Sequence, residues 1–167
     1  MRHSDVTAQR RAKPVRSEPP SKQKLRLWLR LLRTSRGLEG ELRGRLRLAF
    51  GTTLPKFDVM AALARKGTAM SMTELSRYLM VSNGNVTGLI DRLVAEGHVV
   101  RLPHAADRRT TFVQLSPKGA QLFQAMAKAH EGWIAELLEG CDARNAQIMM
   151  DQLDRLSMSI NGSRGLR

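Results

Sequence analysis

Residues 82–88 read SNGNVTG, and the polar side chains in that stretch are short and uncharged. Ser82, Asn83, Asn85 and Thr87 supply hydroxyls and amides that both donate and accept hydrogen bonds, with no nucleophile–base pair beside them. Gly84 and Gly88 stand four apart, on one face of any helix that runs through them. A glycine inside a helix costs about 0.5–1 kcal/mol relative to alanine. Gly84, in a first turn, costs little; Gly88 lies too deep for that excuse. Short donors and acceptors over bare backbone at a helix N-terminus make a contact surface for phosphates and base edges. The missing Cβ atoms let a groove wall come close. Arg92, farther along, suits either a phosphate or a surface pair with Asp91 or Glu96.

A second group of this kind follows. VVRLP (99–103) and TTFVQL (110–115) are rich in β-branched residues and flank HAADRR, which predicts a β-hairpin with a polar, basic tip. Arg101 and Arg108 are placed to meet phosphates, which position a protein without reading sequence.

These two groups need elements to hold them. Pro55 opens KFDVMAALARKG, a helix that stops at Gly67. Ser71-Met-Thr-Glu74 matches a capping box and starts a short helix to about Met80. Ser82 caps the next, which runs to Gly97. Leu75, Leu79, Val81, Val86, Ile90 and Leu93 can all face one core, Ser76 is small enough for the helix crossing, and Met80 occupies the turn. Two helices, a tight turn and a following hairpin make a winged helix-turn-helix.

Around that lobe the reading is mainly α. Residues 1–21 hold three prolines, scattered charge and almost no apolar residue, which predicts a disordered basic tail. Over 22–54, Leu25, Leu29 and Leu32, then Leu38, Leu42, Leu46 and Phe50, show helical spacing with a kink or phase shift between the sets. The DNA-binding lobe covers 55–115. Two further helices fill 116–160, capped by Ser116 and ending near Gly140 and Ile160, and 161–167 reads as a flexible end. The expected fold is therefore mainly α with a small β-hairpin, a winged helix-turn-helix flanked by long dimerisation helices.

Charge agrees with a polyanionic partner. The net charge is +13, and the first fifty residues hold 14 Lys/Arg against 4 Asp/Glu. No apolar run reaches the length of a membrane span, and the start lacks the apolar core of a secretory signal. The single cysteine, Cys141, fits a reducing compartment, so the cytoplasm is the expected location and no membrane partner is expected. His3, His98, His104 and His130 are too dispersed for a metal site. Ser21-Lys22-Gln23-Lys24 satisfies Ser-x-x-Lys without the companion motifs of such hydrolases. No enzyme and no cofactor are expected. A nonspecific architectural or RNA-binding protein is the rival class, disfavoured by the scarcity of stacking aromatics.

LSRYLMVSNGNVTGLIDRLVAEGHVVRLPHAADRRTTFVQLSPKG resembles the DNA-binding core of MarR-family transcriptional regulators. The resemblance covers about residues 55–120, and Asp107-Arg108-Arg109 matches the family's Asp-x-Arg wing pattern. It implies that Asp107 orients an arginine and that Arg109 enters the minor groove, where concentrated negative potential favours a guanidinium. It also implies a homodimer on a pseudopalindromic double-stranded DNA operator, usually as a repressor released by a small-molecule effector. Candidate interface residues are Leu25, Trp28, Leu32, Ile148, Met149, Leu153 and Leu156. TLPKFDVMAALAR and ELSRYLMVSNGNVTGLIDRLV resemble the branch controlling aromatic-acid catabolism. An aromatic acyl-CoA of the hydroxycinnamoyl or benzoyl type is the leading effector, with Arg30, Arg33, Arg36 and Arg43 as phosphate ligands. The same arginines read equally as a solvated face, or as nonspecific attraction to DNA together with the basic tail. A free phenolic acid is the alternative.

Overall fold

The computed structural model describes residues 19–103 and 111–162. In order, they form α1 (Pro20–Phe50), α2 (Leu54–Lys66), β1 (Met70–Ser71), α3 (Met72–Leu79), α4 (Asn83–Ala95), β2 (Val99–Pro103), β3 (Thr111–Leu115), α5 (Pro117–Leu137) and α6 (Ala143–Gly162). The fold is mainly helical with a small antiparallel sheet, as the sequence predicts. The expectations for residues 1–18 and 163–167 lie outside the described residues. The chain divides into two compact units, one up to Gly37 and one from Leu38.

α1 is helical without interruption from Pro20 to Phe50, where the leucine spacing predicts a kink or phase shift. The boundary between the units falls at Gly37, where the two leucine sets change register. In the first unit Leu25 and Trp28 are exposed and Leu32 is half-buried. In the second, Leu42 and Leu46 are buried.

The second unit holds the core: Leu46 of α1, Val59 and Met60 of α2, Leu75 of α3, Val86, Ile90 and Leu93 of α4, Val99, Val113 and Met126. Each such side chain contributes roughly 1.5–3 kcal/mol by leaving water. That inward anchoring fixes the rotation of α4 and therefore which residues it turns outward. Leu79 packs at the edge of this core as expected. Val81 does not: it is 41% exposed. Met80 before it adopts the left-handed conformation (φ 54), and this turn carries Val81 out of the interior.

Local signals set the helix ends. Gly67, at φ 68, donates its N–H to the Leu63 carbonyl and stops α2. Ser71 Oγ accepts from the Glu74 N–H at 3.2 Å while the Glu74 carboxylate accepts from the Ser71 N–H at 2.8 Å, the reciprocal capping box. The sheet order is β1-β3-β2, with Met70 opposite Val113 and Val100 opposite Gln114. β1 is the element the sequence does not announce. Its two residues are the extended lead-in to the α3 cap, and a buried Met70 holds them against β3.

The N-terminus of α5 is clamped to the turn after α4. Ser116 Oγ accepts from the Gly119 N–H at 2.9 Å and donates to the Gly97 carbonyl at 2.7 Å. A Cβ on Gly119 would lie 1.9 Å from the His98 carbonyl oxygen, so only glycine fits there. On α6, Ile148, Met149, Leu153 and Leu156 are exposed, and none of the described side chains of that helix is buried. Among the described residues no helix is long and apolar enough to cross a membrane.

Candidate nucleic-acid interface

α3 and α4 are joined by three residues. The Met80 N–H donates to the Arg77 carbonyl at 3.3 Å and the Val81 N–H to the Ser76 carbonyl at 3.1 Å. Ser76 is buried between the helices, its hydroxyl donating to the Thr73 carbonyl at 3.1 Å. Ser82 then caps α4, its Oγ accepting from the Asn85 N–H at 3.4 Å.

The outward face matches the sequence reading. Ser82, Asn83, Gly84, Asn85 and Thr87 are exposed and Gly88 is half-buried. A Cβ placed on Gly84 or Gly88 would meet nothing within 4 Å. Neither glycine is therefore required by packing inside the chain, and each leaves the helix backbone open to a partner. Thr87 Oγ1 donates to the Asn83 carbonyl at 2.9 Å, which fixes its rotamer and leaves its oxygen able to accept. Beside this face runs a groove of about 470 Å³ that includes Pro55, Val81, Gly84, Gly88 and Arg92. Val81, expected in the core, is one of its walls.

The cations sort themselves. Arg101 of β2 pairs with Asp91 of α4, both about half exposed, so the hairpin is tied to the helix beside it. Glu96 pairs with Lys56 of α2. Both carboxylates available to Arg92 are thus engaged elsewhere, and among the described residues Arg92 has no ion pair and is exposed beside the two glycines. β2 and β3 pair from Val99 with Leu115 to Pro103 with Thr111. The tip they lead to, with Asp107, Arg108 and Arg109, lies outside the described residues.

Of the four arginines predicted to hold an effector, Arg43 lines a cleft of about 390 Å³ with Glu39, Leu42, Leu54, Asp58 and His130. Glu39 lies 3.9 Å from Arg43 along the helix. The His130 ring stacks on Phe57, with centroids 4.8 Å apart. Burial holds the His130 imidazole below its ordinary range, while burial and then the Glu39 charge raise the Asp58 carboxyl. Sequence spacing alone does not bring Asp58 and His130 together, since they sit on different helices. Arg30, Arg33 and Arg36 are exposed on the first unit's part of α1.

The MarR family model matches residues 50–110. The crystal structure of a MarR family transcriptional regulator from Silicibacter pomeroyi is 33% identical, covers 86% of this chain and 99% of that one, and superposes with a TM-score of 0.73. The chain belongs to the MarR family. The transcriptional activatory protein BadR of Rhodopseudomonas palustris is 40% identical over 82 residues, 48% of this chain and 47% of BadR. The chain spans about half the length of such curated relatives. A MarR mutant from E. coli complexed with operator DNA shares the fold, with a TM-score of 0.72 at 23% identity over 83% of this chain and 99% of that one. The family and these relatives are transcription regulators, not enzymes.

Proposed function

We propose that this MarR-family protein is a DNA-binding transcriptional regulator that grips a pseudopalindromic operator as a homodimer in the cytoplasm. The observation that carries this reading is the α4 face. Its polar N-terminal end is fully outward, and its two glycines shield no neighbour within the chain. α4 enters the major groove, Asn83 and Asn85 meet base edges, and Arg92 meets the flanking phosphate. The unpartnered Ile148, Met149, Leu153 and Leu156 of α6 support self-association, because apolar side chains left in water at that density favour a second copy. Repression is the simplest output of a protein displaced from its site by a ligand. The relative BadR is a transcriptional activatory protein, which makes activation the second reading.

The effector is an aromatic acyl-CoA whose acyl end enters the Leu42–Leu54–His130 cleft. Glu39 and Asp58 outnumber the single cation, Arg43, around that cleft and so disfavour the carboxylate of a free phenolic acid, whereas a thioester is uncharged. The test is a gel-shift series on a duplex selected from random sequence, with excess random competitor. One strong, competitor-resistant complex is expected, released by benzoyl-CoA or p-coumaroyl-CoA and not by the free acids. Equal binding to every duplex would remove the regulator reading in favour of an architectural protein.

A further inference from the structure

We infer that the first unit's part of α1 carries a second, sequence-independent surface for the phosphate backbone of DNA flanking the operator. This rests on the regulator reading above and gives its arginines a role other than effector binding.

Because α1 is helical from Pro20 onward, the positions of its cations are fixed by helix geometry. At 3.6 residues per turn, Lys22, Arg26, Arg30 and Arg33 fall within about 80° of arc and form a row with cations roughly 6 Å apart. All four are exposed. Leu25, Trp28 and Leu32 lie on a separate face, so a partner copy covering those residues would not cover the row. From Pro20 to Gly37 the sequence contains no Asp or Glu, while Lys24 and Arg36 add to the cations. Among the described residues, Arg30 and Arg33 have no ion pair.

This arrangement works against the helix that bears it. Cations near a helix N-terminus oppose the macrodipole, and like charges at i,i+4 repel. The first turn of α1 holds no acidic residue to offset them. An external polyanion relieves both penalties. A duplex presents one negative charge per about 1.7 Å of axis, so a row with cations roughly 6 Å apart finds a phosphate for each without needing a particular sequence. A cleft ligand fits less well, because a row on a convex helix surface cannot converge on one small molecule. Arg43, the remaining predicted effector arginine, already neighbours Glu39 and Asp58.

The test is a fluorescence-anisotropy titration of the full chain on two duplexes, the selected operator alone and the same operator extended by random sequence. Each is measured across about 50–200 mM salt. The triple variant Arg26→Gln, Arg30→Gln, Arg33→Gln is compared with wild type and with the matching triple lysine variant. On the extended duplex the glutamine variant should lower the slope of log K against log salt by roughly 2–3 for each row engaged, and so by roughly 5 for a dimer with flanking DNA on both sides, at about 0.9 per lost contact. On the short duplex all three proteins should agree, and the lysine variant should keep the wild-type slope on both. Sedimentation confirms that each protein is folded and assembled alike. An unchanged slope on the extended duplex, with operator selectivity intact, overturns the inference and leaves the regulator reading standing. Loss of operator selectivity in wild type removes the regulator reading, while the slope difference still reports on the row. Vesicles containing phosphatidylglycerol that strip wild type, but not the glutamine variant, from the extended duplex would assign the row to a membrane surface and overturn the inference.

Discussion

Arg101 on β2 and Asp91 on α4 form an ion pair that joins the hairpin to the outward flank of α4. Both side chains are about half exposed, so the pair adds under about 1 kcal/mol to stability. Its value is orientation: it fixes β2, and with it the described base of the hairpin, against α4. Asp91→Asn should shift the melting temperature by no more than a few degrees while weakening operator binding several-fold. A double-mutant cycle with Arg101→Gln, read by anisotropy, checks this. Additive losses from the two substitutions would show that the pair does not act as a unit.

Gly88→Ala should move stability and affinity in opposite directions. A Cβ there meets nothing within 4 Å, so the free protein gains the helix preference of alanine, about 0.5–1 kcal/mol or a few degrees in melting temperature. The same methyl group would stand between the α4 backbone and a groove wall, and operator affinity should fall at least tenfold. Calorimetry paired with anisotropy on one preparation reads both. A stabilised protein with unaltered affinity would mean that α4 does not approach DNA along its glycine face.

The elements that carry this site were legible because their signals are local. Ser71 with Glu74, Ser82, Gly67 and the β-branched runs of the hairpin depend on neighbours within a few residues. Three features were not. Val81 has the composition of a core residue, and only the left-handed turn at Met80 sends it outward. β1 is two residues long and exists because β3 lies beside it. The cleft around Asp58 and His130 brings together α1, α2 and α5, whose packing no spacing rule encodes. The glycines show the same division. Gly84 and Gly88 could be recognised as anomalies in a helix, whereas Gly119 shows its purpose only through the His98 carbonyl, 21 positions earlier.

Gly119→Ala should therefore destabilise the lobe without touching the DNA face. The new Cβ would lie 1.9 Å from the His98 carbonyl oxygen, a backbone atom that can yield only by moving β2 away from α5. The expected cost is about 1–3 kcal/mol, as for other overpacked sites. It should appear as a lowered denaturant midpoint with m unchanged. Operator affinity per folded molecule should stay within a factor of a few. A midpoint equal to that of wild type would mean that the clamp between the α4–β2 turn and α5 contributes little.

His130 gives the lobe a pH dependence whose sign follows from burial. Its folded pKa lies below the usual value of 6.5, so the unfolded chain binds this proton more readily than the folded one. The contribution of neutral His130 is present above pH 6.5 and is lost as pH falls from there through the lower folded value. Asp58, in the same cleft, acts in the opposite sense. Its carboxyl is raised by burial and by Glu39, so the folded chain holds that proton more tightly and gains stability as pH falls toward the ordinary aspartate range. Wild type alone would blur the two. The difference in melting temperature between wild type and His130→Phe, which keeps a ring against Phe57, isolates the imidazole. Across pH 7.5 to 5 that difference should shift in favour of the variant, most steeply below about pH 6.5. Parallel melting curves for the two proteins would show that the stacked imidazole is as free to protonate in the fold as in water.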